Sequence, residues 1–182
     1  MCVCVRAQHT ICTYPGTECA HVRTRSESLS VSPTLFPYAT IFPPMKQKQP
    51  AVAIIIAPYH EKIAEKMYKT AVAECEARSY TIARIVTVPG CFEIPLAVAN
   101  VLDAEKLAGV IVLGMIEKGE TLHGEVMAHT VFEALLDLQL DTRVPIGMGI
   151  IGPGATAKQG LARAESSARQ AVEAVAAMIA NA

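Results

Sequence analysis

The sequence contains no tryptophan, and only 18% of its 182 residues are charged, against 52% that are hydrophobic. That balance excludes a disordered chain over most of the length. It also supplies more apolar surface than a monomer of this size usually hides, a first sign of subunit packing. Excess charge of either sign is missing too: the formal net charge of −1 gives no basic footprint for nucleic acid or an anionic membrane. No apolar run approaches the ~20 residues of a membrane span. The start of the chain lacks a charged segment followed by an apolar one, so it carries no secretory signature. The six cysteines are therefore read as reduced and cytosolic.

Composition changes near Met45. Residues 1–44 hold Cys2, Cys4, Cys12 and Cys19, many Ser and Thr, five prolines and only two acids, Glu18 and Glu27. They show no sustained period of two or 3.6, so the segment is expected to be a loosely structured extension of a domain covering residues 45–182. An organellar transit peptide would suit Arg6, Arg23 and Arg25, but no amphipathic helix accompanies them. A metal site on the four cysteines with His9 and His21 would lack the paired CxxC of zinc modules. The composition favours a simpler origin, an upstream stretch joined to a domain whose natural start is Met45.

From Ala51 onward the pattern is regular. Residues 51–57 (AVAIIIA) form an aliphatic run of the kind expected for a strand buried on both faces. Residues 60–78 place Ile63, Met67, Ala71 and Cys75 at helical spacing, with Lys62, Glu65, Lys66 and Lys69 opposite. Strands are then expected at 80–88, 108–114 and 144–151, and helices at 92–103, 121–141 and 156–181. Four such βα units predict an α/β fold: a flavodoxin-like, doubly wound, four-stranded parallel sheet with helices on both faces.

The third helix carries two adjacent apolar stripes, Met127, Val131, Leu135 and Leu138 beside Ala128, Phe132, Leu136 and Leu140. Only Glu125, His129, Glu133 and Asp137 make a polar row. A helix apolar over so much of its surface needs a partner besides its own sheet, and another subunit is the natural one.

Ligands of open α/β sheets bind beyond the carboxyl ends of the strands. Those ends carry Pro58-Tyr59-His60, then 88–93 (VPGCFE), then 117–123 (EKGETLH), then Gly152-Pro153-Gly154. A glycine turn running into a helix offers free N–H groups to a phosphate, and Gly119-Glu120-Thr121 has that form. Periodicity alone favours a plainer role, Thr121 as a helix N-cap. A lone His123 near a helix start is more often structural than catalytic, although its place outside a strand end raises its standing. Glu93 could be a first-turn acid complementing the helix dipole, and Tyr59 a half-buried loop aromatic.

These residues carry a resemblance. Residues 88–97 (VPGCFEIPLA) look like the VPGAFEIPLA segment of lumazine synthases, and 114–123 resemble that family's G-x-x-x-x-G-x-T-x-H signature. Residues 149–156 (GIIGPGAT), followed by Gln159 and Arg163, are similar to its archaeal-type branch. Three motifs in the family's order, spanning 51–182, are far more specific than one. The resemblance implies condensation of 5-amino-6-(D-ribitylamino)uracil with 3,4-dihydroxy-2-butanone 4-phosphate, with neither cofactor nor metal.

It also implies roles. Tyr59 would stack on the pyrimidine, Phe92 and Glu93 would hold the ribityl chain, and Cys91, Met115 and Ile116 would belong to the same substrate wall. Gly119, the Glu120 backbone and Thr121 would seat the phosphate, with Arg163 reaching in from the adjacent subunit. His123 would shuttle protons. Cytoplasmic homopentamers are implied, free or packed into an icosahedral cage. Three departures stand out. Met148 replaces a Phe or Leu that packs on the heterocycle. Glu117 occupies a position usually apolar in relatives. The lysine that assists phosphate binding in bacterial members has no match, Arg169 being the candidate substitute. Rival readings are an archaeal-type riboflavin synthase, which should lack the G-x-T-x-H turn, a flavodoxin-like FMN carrier, whose first loop should be rich in Ser, Thr and Gly, and a catalytically idle shell.

Overall fold

A computed structural model describes residues 49–181. The expectations for residues 1–44 lie outside the described residues. The chain alternates β1 (Ala51–Ile56), α1 (Glu61–Ala77), β2 (Thr81–Thr87), a 3-10 turn (Cys91–Glu93) running into α2 (Ile94–Ala104), β3 (Gly109–Glu117), α3 (His123–Thr142), β4 (Ile146–Ala155) and α4 (Ala157–Ala180). All neighbouring strands are parallel, in the order β2-β1-β3-β4. This is the expected flavodoxin-like, doubly wound sheet. Its winding reverses between β1 and β3, which puts the crevice beyond the carboxyl ends of those two strands.

Strand alternation sorts the core. Val52, Ile54 and Ile56 of β1, with Ile111, Leu113 and Met115 of β3, face α1 and α4, where Met67, Ala71, Ala168 and Val172 meet them. Ala53, Ile55, Val110 and Val112 point the other way, onto Val98 and Val101 of α2 and Val131 and Leu135 of α3. Each fully buried Ile, Leu or Val contributes about 1.5–3 kcal/mol by leaving water. The alanines of α4 let it lie close on β4, and a Cβ on Gly147 would collide with the Ala171 carbonyl oxygen. Glycine in this strand is therefore set by helix approach.

The main differences from the sequence expectation lie at four element ends. β3 continues past Gly114 to Glu117, and β4 continues through Gly152-Pro153-Gly154 to Ala155, because Glu117 and Ala155 still pair across the two strands. Gly152 makes this possible: it sits at φ +123° with its Cα against the Ile116 carbonyl, a conformation and an approach that a side chain would obstruct. The Gly152–Pro153 peptide is cis. α2 starts only at Ile94, after the 3-10 turn, with proline in its first turn. α3 starts at His123 with Leu122 as its N-cap residue, so Thr121 is not the cap. The Thr121 hydroxyl oxygen instead lies 3.4 Å from the His123 amide nitrogen, two residues on. A true capping box does form at α4, where Thr156 and Gln159 satisfy each other's amides.

Candidate active site

The carboxyl ends of β1 and β3 enclose a cleft of about 380 Å³, within the size range of small-molecule sites. β1 delivers Tyr59, whose ring is 75% exposed and stands edge-on to the His60 imidazole with centroids 5.1 Å apart. The turn after β2 delivers Gly90 and Cys91. The last residues of β3 supply Met115, Ile116 and Glu117, and its following loop supplies Lys118, Gly119 and Thr121. His123, Gly124 and Met127 from the start of α3 complete the lining.

Packing rather than reactivity explains Cys91. Its Sγ lies 3.6 Å from the Met115 carbonyl oxygen, and burial pushes the thiol up to about 11, so it remains protonated at neutral pH. Its bulk also accounts for Gly114, since a Cβ there would come within 2.7 Å of the sulfur. His123 is exposed at the first position of α3. The opening amides of that helix have no acceptor one turn back, which makes the turn at 119–123 suited to an anion. An imidazole beside an anion seat and an open aromatic ring can bind a planar heterocycle, hold a phosphate and move protons between them.

Of the residues expected from sequence, Tyr59, Cys91, Met115, Ile116, Gly119, Thr121 and His123 line this one cleft. Glu120 lines the adjoining hollow with Gly119, Thr121, Pro153 and Gly154. Phe92 and Glu93 are exposed beside the cleft, and the Glu93 carboxylate reaches to 3.2 Å from the place a Cβ would take on Gly90. Met148 is not brought in: it sits in the first half of β4, the edge strand, opposite Val112 and packed against the α2–α3 side. Arg163 is exposed on α4, outside the cleft lining and in no ion pair among the described residues. Arg169 departs from its suggested role, because its Nε donates to Glu74 Oε1 at 2.8 Å on the α1–α4 seam. The lysine on the cleft wall is Lys118.

Sequence reasoning passed over Lys118, Glu117 and His60 as site residues. The available signal was their position, since all three sit immediately beyond or at the end of a central strand. His60 Nε2 lies 3.1 Å from Glu117 Oε2, off the line of a hydrogen bond, and has no other partner among the described residues. Glu117 Oε1 accepts the Ala157 amide at 3.1 Å.

Among the described residues, no three His, Cys, Asp or Glu side chains cluster as metal ligands, and no helix is long and apolar enough to cross a membrane. Comparison with known proteins bears directly on the cleft. The model of the 6,7-dimethyl-8-ribityllumazine synthase family matches residues 49–182. A protein of that name from Staphylothermus marinus is 41% identical over 128 residues, covering 70% of this chain and 85% of its own length. Those from Metallosphaera sedula and Saccharolobus islandicus are 36% and 33% identical over 129 and 130 residues, each covering 71% of this chain and 85% and 84% of their own. With a match that takes in every strand and helix of the described residues and the whole cleft, the chain belongs to the 6,7-dimethyl-8-ribityllumazine synthase family.

Proposed function

We propose that the chain condenses 5-amino-6-(D-ribitylamino)uracil with 3,4-dihydroxy-2-butanone 4-phosphate to 6,7-dimethyl-8-ribityllumazine, releasing phosphate and water, a step in riboflavin biosynthesis. The observation that carries this reading is the convergence of Tyr59, the 119–121 turn and His123 on one cleft at the topological switch point. Family membership disfavours the rival riboflavin synthase and FMN-carrier readings.

Tyr59 offers its ring to the pyrimidine, and Phe92 with Glu93 takes the ribityl hydroxyls at the rim. Cys91, Met115 and Ile116 make the apolar back wall. The amides around Gly119, Glu120 and Thr121 hold the phosphate. The substrate amine attacks the ketone carbonyl and one water leaves as the imine forms; phosphate is then eliminated to an enol that tautomerises to a ketone, and the second nitrogen closes the ring on that carbonyl with loss of a second water. His123 takes and returns the protons these steps require. The catalytic domain is residues 45–182, with 1–44 as a dispensable extension, and the site of action is the cytoplasm.

Arg163 and Met148 lie outside the cleft of their own chain, which supports a site completed by a neighbour. Exposed Leu96, Val126, Leu136 and Leu140 on the α2–α3 side support the same reading. A head-to-tail contact of this kind closes into a ring, here a pentamer, and such rings can pack further into an icosahedral cage.

The test is subunit complementation. His123→Ala alone should slow turnover about 100- to 10,000-fold, and Arg163→Ala should be similarly poor. Equal amounts of the two unfolded variants are mixed and refolded, and mixed rings are verified by native mass spectrometry. A site is whole only when its histidine comes from the Arg163→Ala chain and its arginine from the His123→Ala chain, so about one half times one half, a quarter of sites, should recover. Mixed rings no more active than the separate variants would place both residues in one chain.

A further inference from the structure

We propose that Glu117 is a positioning residue that ties the Tyr59–His60 turn to the first turn of α4 and so holds the aromatic platform of the cleft in place. This rests on Tyr59 serving as the platform for the pyrimidine.

The carboxylate has two oxygens and two separate attachments. Oε1 accepts the Ala157 amide at 3.1 Å, satisfying one of the otherwise unbonded donors at the start of α4. Oε2 stands 3.1 Å from His60 Nε2. His60 in turn supplies the carbonyl that accepts the Ile63 and Ala64 amides and so opens α1. One side chain at the end of β3 thus meets the beginnings of two helices, where an anion is favoured by both dipoles. Tyr59 is the residue before His60, and its exposed ring touches the same imidazole edge-on. Among the described residues His60 Nε2 makes no hydrogen bond, and the Glu117 carboxylate is the charged group that stands beside it. An apolar residue at 117 would take the acceptor from the Ala157 amide and the carboxylate from beside His60 Nε2, at a place that also forms the cleft wall. The His60–Glu117 pair therefore acts on the site as a unit, through Tyr59.

The test compares Glu117→Gln, Glu117→Leu, His60→Asn and the Glu117→Leu/His60→Asn double variant, with Tyr59→Ala as reference. Loss of a hydrogen bond to a charged group at a half-open site should raise KM for the ribitylaminouracil about tenfold in Glu117→Leu. KM for the butanone phosphate and kcat should stay within about twofold, because the phosphate amides and His123 are untouched. Glu117→Gln keeps an oxygen for the Ala157 amide and should recover about a third of the loss or more. The double variant should be no worse than Glu117→Leu, the mark of coupled residues. Equal changes in both KM values, additive losses, or a lowered melting temperature with normal KM would overturn the proposal. If Glu117→Leu does not fold, Glu117→Gln and His60→Asn carry the same comparison. Unchanged pyrimidine KM in Tyr59→Ala would instead remove the platform reading on which the proposal stands.

Discussion

The two faces of the sheet are equally dry within and unlike at their outer surfaces. Beneath α1 and α4, Met67 and Val172 are fully buried; beneath α2 and α3, Val98 and Leu135 are too. On the α1–α4 side the seam is edged with charge: Lys66 lies 3.1 Å from Glu165, Arg169 lies 2.8 Å from Glu74, and Arg78 reaches both Glu74 and Glu173. On the other side no ion pair joins α2 to α3 among the described residues, and Leu96, Val126, Leu136 and Leu140 stand 47–68% exposed. Exposed ion pairs contribute little to stability, about 0–1 kcal/mol, so their placement speaks to solvation rather than strength. The α1–α4 face also exposes Leu161 and Met178 of α4, but its two helices are joined by ion pairs. The other presents an apolar outer surface that a second chain would cover.

Charge placed on the α2–α3 face gives the largest expected effect. On the shared-site reading proposed above, Leu136→Glu with Leu140→Glu should dissociate the assembly and abolish most activity, read by native mass spectrometry and turnover. Glu165→Lys on the opposite face should leave subunit number unaltered. Assembly that survives the glutamates would put the interface elsewhere.

Equality of the two interiors is tested by cavities. Met67→Ala and Leu135→Ala should each destabilise by about 2–5 kcal/mol in denaturant titration. A small loss at Leu135 alone would show that α3 packs on its own sheet more loosely than its burial indicates.

The smallest effect concerns the charged seam. Hydrogen bonds from Arg78 first, and from Arg169, hold the Glu74 carboxyl below the ordinary 4.5. A depressed folded value means its stabilisation is complete above the unfolded value and fades as pH falls through the lower folded one. The melting temperature of the wild type should therefore drop on acidification from about pH 4.5 downward, and Glu74→Gln should drop less. Parallel curves would show that the seam contributes nothing to acid sensitivity.

What the sequence determined by itself is whatever is local or periodic. The β1 run, the 3.6-residue spacing of Met67, Ala71 and Cys75, and the rule that ligands gather at strand ends were enough to reach the sheet and the two helical layers and to put Tyr59 and His123 beyond strand ends; site roles for those two came only with the family resemblance. The tertiary structure decided matters that depend on the separation of segments distant in the chain. β4 runs on through its glycines because β3 beside it runs to Glu117, and Thr121 loses the cap position to Leu122 because α3 begins only where the loop from β3 allows. His60, Glu117 and Ala157 meet only because β1, β3 and α4 end at one edge of the sheet. No period in the sequence records that meeting, since side-chain contact depends on register and helix approach between elements 40 or more residues apart.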